Sequence, residues 1–145
     1  MRTTPLVLAA LTFATTLAAH QGVKDPDVMA RMNAMTSAKD ALNTLGNMAK
    51  GEIAFDPGKA EKARKDLARI GGETINLFAK PAQDPKSEAL PLIWVSYPDF
   101  TQRALNMNAA FNKLDVSSLA TLRAGLPEAG ATCLSCHQSF RKKTK

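Results

Sequence analysis

Cys133-Leu134-Ser135-Cys136-His137 is the stretch from which the organisation of this chain is best understood. It contains both cysteines of the 145 residues and one of the two histidines. Two thiols three residues apart, followed directly by an imidazole, form the C-x-x-C-H pattern by which a c-type haem is attached. Each thiol can add to one vinyl group at one edge of the porphyrin, and the histidine can then offer a nitrogen to the iron. The pattern therefore predicts one covalently bound haem c near the C-terminus.

Two other interpretations of the cysteine pair fit less well. A thioredoxin-type dithiol needs alternating strands and helices around it, and no such alternation is visible. A structural zinc site normally uses four ligands, whereas Cys133, Cys136 and His137 supply three and the other histidine, His20, lies far away in sequence. Haem attachment is the favoured interpretation.

The N-terminus has the features of an export signal. Arg2 provides a positive charge, residues 6–17 form an apolar run, and small residues precede a predicted cut before His20. The run is too short to span a membrane comfortably. We therefore expect a cleaved signal peptide over residues 1–19 and a mature domain over residues 20–145, with no membrane span after cleavage. Since haem is attached to c-type cytochromes outside the bacterial cytoplasm, the expected location is the periplasm of a Gram-negative bacterium.

The net charge of +6 comes partly from a basic tail, residues 141–145. No aromatic interleaving or nucleic-acid motif accompanies this tail, so nucleic acid is not an expected partner. Cations at the C-terminal end of a helix oppose the negative end of its dipole, and they also suit docking to an acidic redox partner.

Four amphipathic helices are predicted, because apolar residues recur three and four positions apart. Asp25-Pro26 and Asp56-Pro57 each combine an N-capping aspartate with a proline at the first helical position. The third helix is expected from about Pro98 to Leu114, and the fourth follows Ser117 or Ser118. Short links within each pair favour an all-α fold, an up-down antiparallel four-helix bundle with one covalently bound haem.

Two features interrupt this pattern. Gly125 and Pro127 predict a kink or break in the fourth segment, with the haem-bearing helix starting near Pro127. A proline-containing loop from Lys80 to about Tyr97 joins the second and third helices, and Trp94 within it is expected to pack against the bundle.

The chain resembles the class II cytochromes c, which are cytochrome c′ and its low-spin relatives. The resemblance covers most of residues 25–143. It is carried, in order, by Arg31-Met32-Asn33-Ala34-Met35, by Lys50-Gly51-Glu52 through Asp56, by Leu92-Ile93-Trp94, and by Gly130 through Arg141 with the C-x-x-C-H motif inside. The resemblance implies that Cys133 and Cys136 form the thioethers, that His137 is the proximal iron ligand, and that Arg31 lies near the haem propionates.

The function depends on Met35, which matches the family position facing the distal side of the iron. A thioether bond from Met35 would give His/Met ligation and favour single-electron transfer with periplasmic redox partner proteins. If Met35 only covers the iron, a five-coordinate centre would take a small gas ligand, nitric oxide or carbon monoxide. Met32 is a competing ligand, and methionines also serve as ordinary core residues.

Catalysis is not expected, because a peroxidase needs distal polar groups for acid–base work and the chain offers no distal histidine. A monomer and a homodimer both stay open. Relatives often pair through the first two helices, and Ala60 and Ala63 would permit close approach in a dimer or within the chain's own core.

Overall fold

The computed structural model describes residues 22–143, so the predicted signal peptide, the predicted cut and the last two residues lie outside it. The helices are α1 (Pro26–Lys50), α2 (Pro57–Leu77), α3 (Leu92–Val95), α4 (Tyr97–Lys113) and α5 (Leu119–Phe140). Residues 22–143 include no strand, although an isolated antiparallel bridge pairs Ala89 with Arg141. The all-α prediction is confirmed. None of the helices in this part of the chain has the length and apolar character needed to cross a membrane.

The predicted helix starts are confirmed by their capping contacts. The Asp25 carboxylate accepts from the backbone N–H groups of Asp27 and Val28 at 2.9 and 3.0 Å. Asp56 accepts from the N–H of Lys59 at 2.9 Å. Of the two serines proposed for the fourth helix, Ser118 is the cap, and α5 therefore begins at Leu119.

The predicted break at Pro127 and the predicted helix start near it are wrong, because α5 is one continuous helix with Pro127 inside it. Proline lacks the N–H that would bond to the carbonyl of Arg123, so one helical hydrogen bond is lost. Leu122 and Ala129 lie on either side of the proline and are 0% and 3% exposed. Burial of these two residues in the core holds the helix together across the proline, and the haem-bearing helix starts well before it.

The four long helices form a ring in the order α1, α2, α4, α5, with neighbours antiparallel. Arginine side chains connect each neighbouring pair by donating to a backbone carbonyl of the next helix: Arg31 to Leu77, Arg64 to Phe111, Arg103 to Ser135 and Arg123 to Ala49. The up-down antiparallel four-helix arrangement predicted from the sequence is the one observed.

The short helix α3 lies within the segment predicted as a loop. Ile93 is buried, and Trp94 Nε1 donates to the carbonyl of Phe78 at 2.9 Å, so the predicted packing of Trp94 against the bundle is confirmed. This contact ties the connection between α2 and α4 to the end of α2.

Buried side chains fall into two groups. The main core runs between α1, α2, α4 and the first half of α5, and contains Leu45, Leu67, Phe111 and Leu122 among others. The aromatic cluster consists of Phe78, Ile93, Phe100 and Phe140. Because α5 contributes Leu122 and Ala129 to one group and Phe140 to the other, its C-x-x-C-H motif lies between them.

Candidate haem site

A cavity of about 620 Å³ lies between α1, α4 and α5 and is completed by Phe78 and residues 86–89. Its volume is within the range of about 300–1,000 Å³ that is usual for cofactor sites. The main core and the aromatic cluster both contribute to its wall, through Leu67 and Phe100 among others.

Cys133, Cys136 and His137 all line this cavity. Helical spacing explains why, since residues three and four positions apart share one face of an α-helix. Both cysteines are partly buried, and they are not joined by a disulfide. The structure therefore brings the three residues of the motif to one wall of a single cavity.

The protein environment shifts the pKa values of all three residues toward their neutral forms, and desolvation is the first cause in each case. Burial raises the pKa of the Cys133 thiol, and it raises the pKa of Cys136 to about 11 against the opposing charge of Arg103. Desolvation lowers the pKa of His137, the charge of Arg141 lowers it further, and Glu88 opposes both. A neutral imidazole keeps the lone pair with which histidine binds a metal.

Met35 and Met32 line the same cavity from α1. Met107 on α4 lines it as well. In the sequence, this residue is one of the regularly spaced apolar positions of the third predicted helix. Apolar spacing does not reveal whether a side chain packs against another helix or faces a cavity. The sequence therefore gave no sign that Met107 lines this cavity. The assignment of Met35 as the iron ligand stays a prediction.

Arg31 is 3% exposed and its guanidinium is bound mainly to backbone. Nε donates to the carbonyl of Leu77 at 2.8 Å, and the two Nη atoms donate to those of Lys80 at 2.7 Å and Ala82 at 3.4 Å. Its central carbon lies 4.7 Å from the ring centre of Phe78. Burial lowers the pKa of Arg31, but an arginine remains charged at neutral pH.

This arrangement gives Arg31 a role that the sequence analysis did not foresee. It satisfies carbonyls at the negative end of the α2 dipole and holds the chain that follows α2. Arg31 also lines the cavity, and three of its five N–H donors are engaged in these bonds. Its role beside the haem propionates stays a prediction.

The segment 87–90 is hydrogen-bonded to the C-terminal end of α5 and the residues that follow it. The N–H of Leu90 donates to the carbonyl of Phe140 at 2.9 Å, and the N–H of Lys142 donates to that of Glu88 at 2.8 Å. Arg141 pairs with the Glu88 carboxylate, with Nη2 at 2.5 Å. The first residues of the basic tail therefore bind this segment, and they close one side of the cavity.

The donor set suits a covalently attached haem. Two thiols and an imidazole lie on one wall, thioethers lie on the others, and the charged side chains that line the cavity are mostly basic: Arg31, Lys39, Lys86, Arg103 and Arg141 against Glu88. Such cations complement the two propionates that every haem carries. Together with the antiparallel bundle, this site defines the class of protein as a helical c-type haem protein.

Comparison with known proteins agrees with this class. The sequence model of the family described as Cytochrome C' matches residues 27–141. A curated relative, cytochrome c-554 of Cereibacter sphaeroides, is 35% identical over 120 residues, which cover 78% of each chain. The chain belongs to the cytochrome c′ family, whose members bind covalently attached haem c with its iron.

Two solved structures show the same bundle. Cytochrome c′ from Rhodopseudomonas palustris is 25% identical and superposes with a TM-score of 0.75, covering 84% of this chain and 100% of that one. A variant of cytochrome c prime from Alcaligenes xylosoxidans in complex with nitric oxide is 26% identical with a TM-score of 0.70, covering 81% and 94%. The predicted family, fold and cofactor are confirmed.

Proposed function

We propose that this protein carries single electrons in the bacterial periplasm. In this proposal Cys133 and Cys136 hold the haem, His137 is the proximal ligand and Met35 is the distal ligand. When bound, the haem supplies an iron that changes oxidation state by one electron. Two ligands supplied by the fold would keep the iron geometry similar in both oxidation states.

The observation that carries the proposal is the meeting of Met35 and the C-x-x-C-H motif in one cavity. Met35 comes from α1 and the motif from α5, so the two candidate ligands reach the cavity from different walls. Both walls are parts of long, well-packed helices, and ligands on such elements are held more precisely than ligands on loops.

The polar groups at the cavity favour electron transfer over catalysis. Among the described residues that line it, Glu88 is the one carboxylate, and it is paired with Arg141. His137 is the one imidazole and is assigned to the iron. General acid–base catalysis needs a proton-transferring group within reach of a substrate, and this arrangement leaves neither side chain available for that work.

The partners in this proposal are periplasmic redox proteins. Ala60 and Ala63, whose small size would suit a dimer contact, are 0% and 5% exposed within the chain's own core. They serve intramolecular packing, so dimerisation is not part of the proposal.

A second candidate function is the binding of a small gas molecule. The solved nitric oxide complex of a relative at 26% identity favours it. In that case Met35 would cover the iron without bonding to it, and the centre would be five-coordinate and open to nitric oxide or carbon monoxide.

Visible spectroscopy of the ferric and ferrous holoprotein tests the choice. Electron transfer with Met35 ligation predicts a low-spin spectrum with a weak far-red methionine–iron band that Met35→Leu abolishes. Met32→Leu and Met107→Leu are matched controls, since both thioethers line the same cavity, and both should retain the band. A high-spin wild-type spectrum that shifts on adding carbon monoxide would refute the electron-carrier proposal, and loss of the band in Met32→Leu instead would refute the choice of Met35.

A further inference from the structure

Arg103 on α4 makes a direct contact with the turn of α5 that carries the two cysteines. Its Nη1 donates to the backbone carbonyl of Ser135 at 2.9 Å and to Ser135 Oγ at 2.7 Å. Ser135 lies between Cys133 and Cys136 in the motif. Whatever fixes Ser135 therefore fixes the helical turn from which both thiols and His137 project.

The guanidinium of Arg103 is itself held in place. Its Nε donates to both oxygens of Asp99, one turn earlier on α4, at 3.2 Å each. Its central carbon lies 5.7 Å from the ring centre of Phe140. The Arg103 side chain is 28% exposed. Its planar guanidinium contacts Asp99, Ser135 and Phe140 at the same time. A lysine has one nitrogen and no planar guanidinium, so it cannot reproduce the geometry.

Cys133 packs against the main core and Cys136 against the aromatic cluster, and the turn that carries them borders two cavities. Arg103 lines the large cavity and also a second one of about 150 Å³, which Glu128, Thr132 and Ser135 help to enclose. The hydrogen bonds from Arg103 to Ser135 therefore join α4 to α5 beside the residues that would attach the haem.

We propose that Arg103 is a positioning residue for the haem-attachment turn. By holding Ser135, it sets the rotation of this turn about the helix axis, and with it the direction from which the His137 imidazole approaches the iron. Hydrogen bonds outside the ligand sphere commonly orient metal-binding histidines and tune the metal in this way. The inference rests on the proposed attachment through Cys133 and Cys136 and on His137 as the ligand, but not on the choice between electron transfer and gas binding.

The test compares Arg103→Lys and Arg103→Met with wild type. The matched control is Arg69→Met, because Arg69 also pairs with a carboxylate four residues away, Glu73, but lies 53% exposed on α2. Mass spectrometry first establishes that each holoprotein carries its haem. The haem methyl proton resonances and the electron paramagnetic resonance g values of the ferric protein then report the orientation of the axial imidazole.

We expect both Arg103 variants to shift these signals while Arg69→Met leaves them unchanged. Arg103→Lys is decisive, because it keeps the positive charge but lacks the planar guanidinium with its several N–H donors. If Arg103→Lys gives the wild-type signals and Arg103→Met changes only the reduction potential, Arg103 acts through its charge and the proposal is wrong. Ser135→Ala, which removes one acceptor and keeps the carbonyl, should give a smaller shift in the same direction; it also tests the proposal if Arg103→Met does not accumulate.

The experiment separates this proposal from the proposed function. A wild-type polypeptide with no haem mass would refute attachment itself. A high-spin wild type would refute Met35 ligation, yet the same comparison of variants would then be made on the high-spin ferric resonances.

Discussion

Helices α2 and α4 meet through backbone and small side chains, whereas α5 contacts the bundle through a few buried residues and through arginines. At the α2–α4 contact, a Cβ on Gly71 would lie 2.7 Å from the backbone nitrogen of Asn108. Asn108 Nδ2 also donates to the carbonyl of Ala68 at 2.7 Å. On the other side, the C-terminal part of α5 borders the large cavity through Cys133, Cys136 and His137, and the fully buried apolar residues of the helix are Leu122, Ala129 and Phe140.

The difference shows how a small bundle can accommodate a large cofactor. Close packing needs a continuous surface, and a cavity of about 620 Å³ interrupts that surface along the C-terminal part of α5. Hydrogen bonds from long side chains need only one donor and one acceptor in the right place. Arg103, Arg123 and Arg141 supply such contacts to Ser135, Ala49 and Glu88. We therefore expect overall stability to depend most on tightly packed or fully buried groups, including the buried Arg31. We expect the haem geometry to depend on Arg103.

The largest effect on stability is expected from Arg31→Met. The substitution removes the short charge-assisted bonds to Leu77 and Lys80 and leaves two partly buried carbonyls without these donors. Since a hydrogen bond from a charged group contributes about 1.5–3 kcal/mol, the free energy of unfolding should fall by about 3 kcal/mol or more. Denaturant unfolding of the holoprotein measures it.

Arg31→Lys is the control for this variant. It restores one donor and the charge, so it should recover part of the loss. A change below about 0.5 kcal/mol for Arg31→Met, the size of an ordinary surface effect, would show that the end of α2 does not depend on this arginine.

The α2–α4 contact is tested by Gly71→Ala. The added Cβ would meet Asn108 backbone at 2.7 Å, and backbone cannot move aside as a flexible side chain does. Overpacking of this kind costs about 1–3 kcal/mol. The control is Gly46→Ala, because Gly46 lies within α1 with nothing within 4 Å of its would-be Cβ. That control should stabilise the protein by about 0.5–1 kcal/mol through helix propensity, and equal effects of the two variants would contradict close packing at Gly71.

A smaller effect is expected from Arg123→Met on the α5 side. Arg123 Nε donates to the carbonyl of Ala49 at 2.7 Å, but the side chain is exposed. Loss of a single accessible hydrogen bond should lower the free energy of unfolding by about 1 kcal/mol. Arg69→Met, which removes an exposed arginine whose ion pairs stay within α2, should change stability less. If both variants behave alike, Arg123 does not help to hold α5 against α1.

Local signals in the sequence were sufficient for most of the fold. Asp25, Asp56 and Ser118 cap helices with contacts that span only two or three residues, so their patterns can be read without knowing the tertiary structure. The C-x-x-C-H motif likewise lies within one helical turn. The prediction of a break at Pro127 is wrong because the local penalty of proline is visible in the sequence, whereas the burial of Leu122 and Ala129 that outweighs it depends on other helices.

The parts of the site that the sequence did not predict are all long-range contacts. Asp99 and Arg103 four residues apart predict an ordinary ion pair on a helix surface, and nothing in that spacing points to Ser135 on another helix. Arg31 was linked to the haem by resemblance alone, and its bonds to Leu77 and Lys80 depend on how α1 and α2 meet. Side chains with several donors are hard to assign from sequence, because different folds can direct them to different acceptors.

The smallest expected effect concerns a contact of the α2–α4 pair that a carboxylate supports. Arg64 donates to the Phe111 carbonyl at 3.0 Å and is held by Glu61, whose carboxylate accepts from Nε and Nη2 at 2.7 and 2.8 Å. The hydrogen bond from Arg64 first, and the nearby positive charges after it, lower the pKa of Glu61 from 4.5 to about 2. Because the folded-state pKa is the lower one, the stabilisation is complete above pH 4.5 and is lost as the pH falls toward 2.

Glu61→Gln should therefore lower the Tm slightly at pH 7, and the difference from wild type should shrink between pH 4.5 and pH 2. Arg123→Met provides the contrast on the α5 side, since its acceptor is a backbone carbonyl that does not titrate. Its difference from wild type should stay constant over the same range. Thermal unfolding of the three holoproteins at several pH values measures both trends, and a pH-independent Glu61→Gln effect would show that the carboxylate does not act through its charge. If the Tm differences of the two variants from wild type depended on pH in the same way, the α2–α4 contact and the α5 side would not differ in their electrostatics.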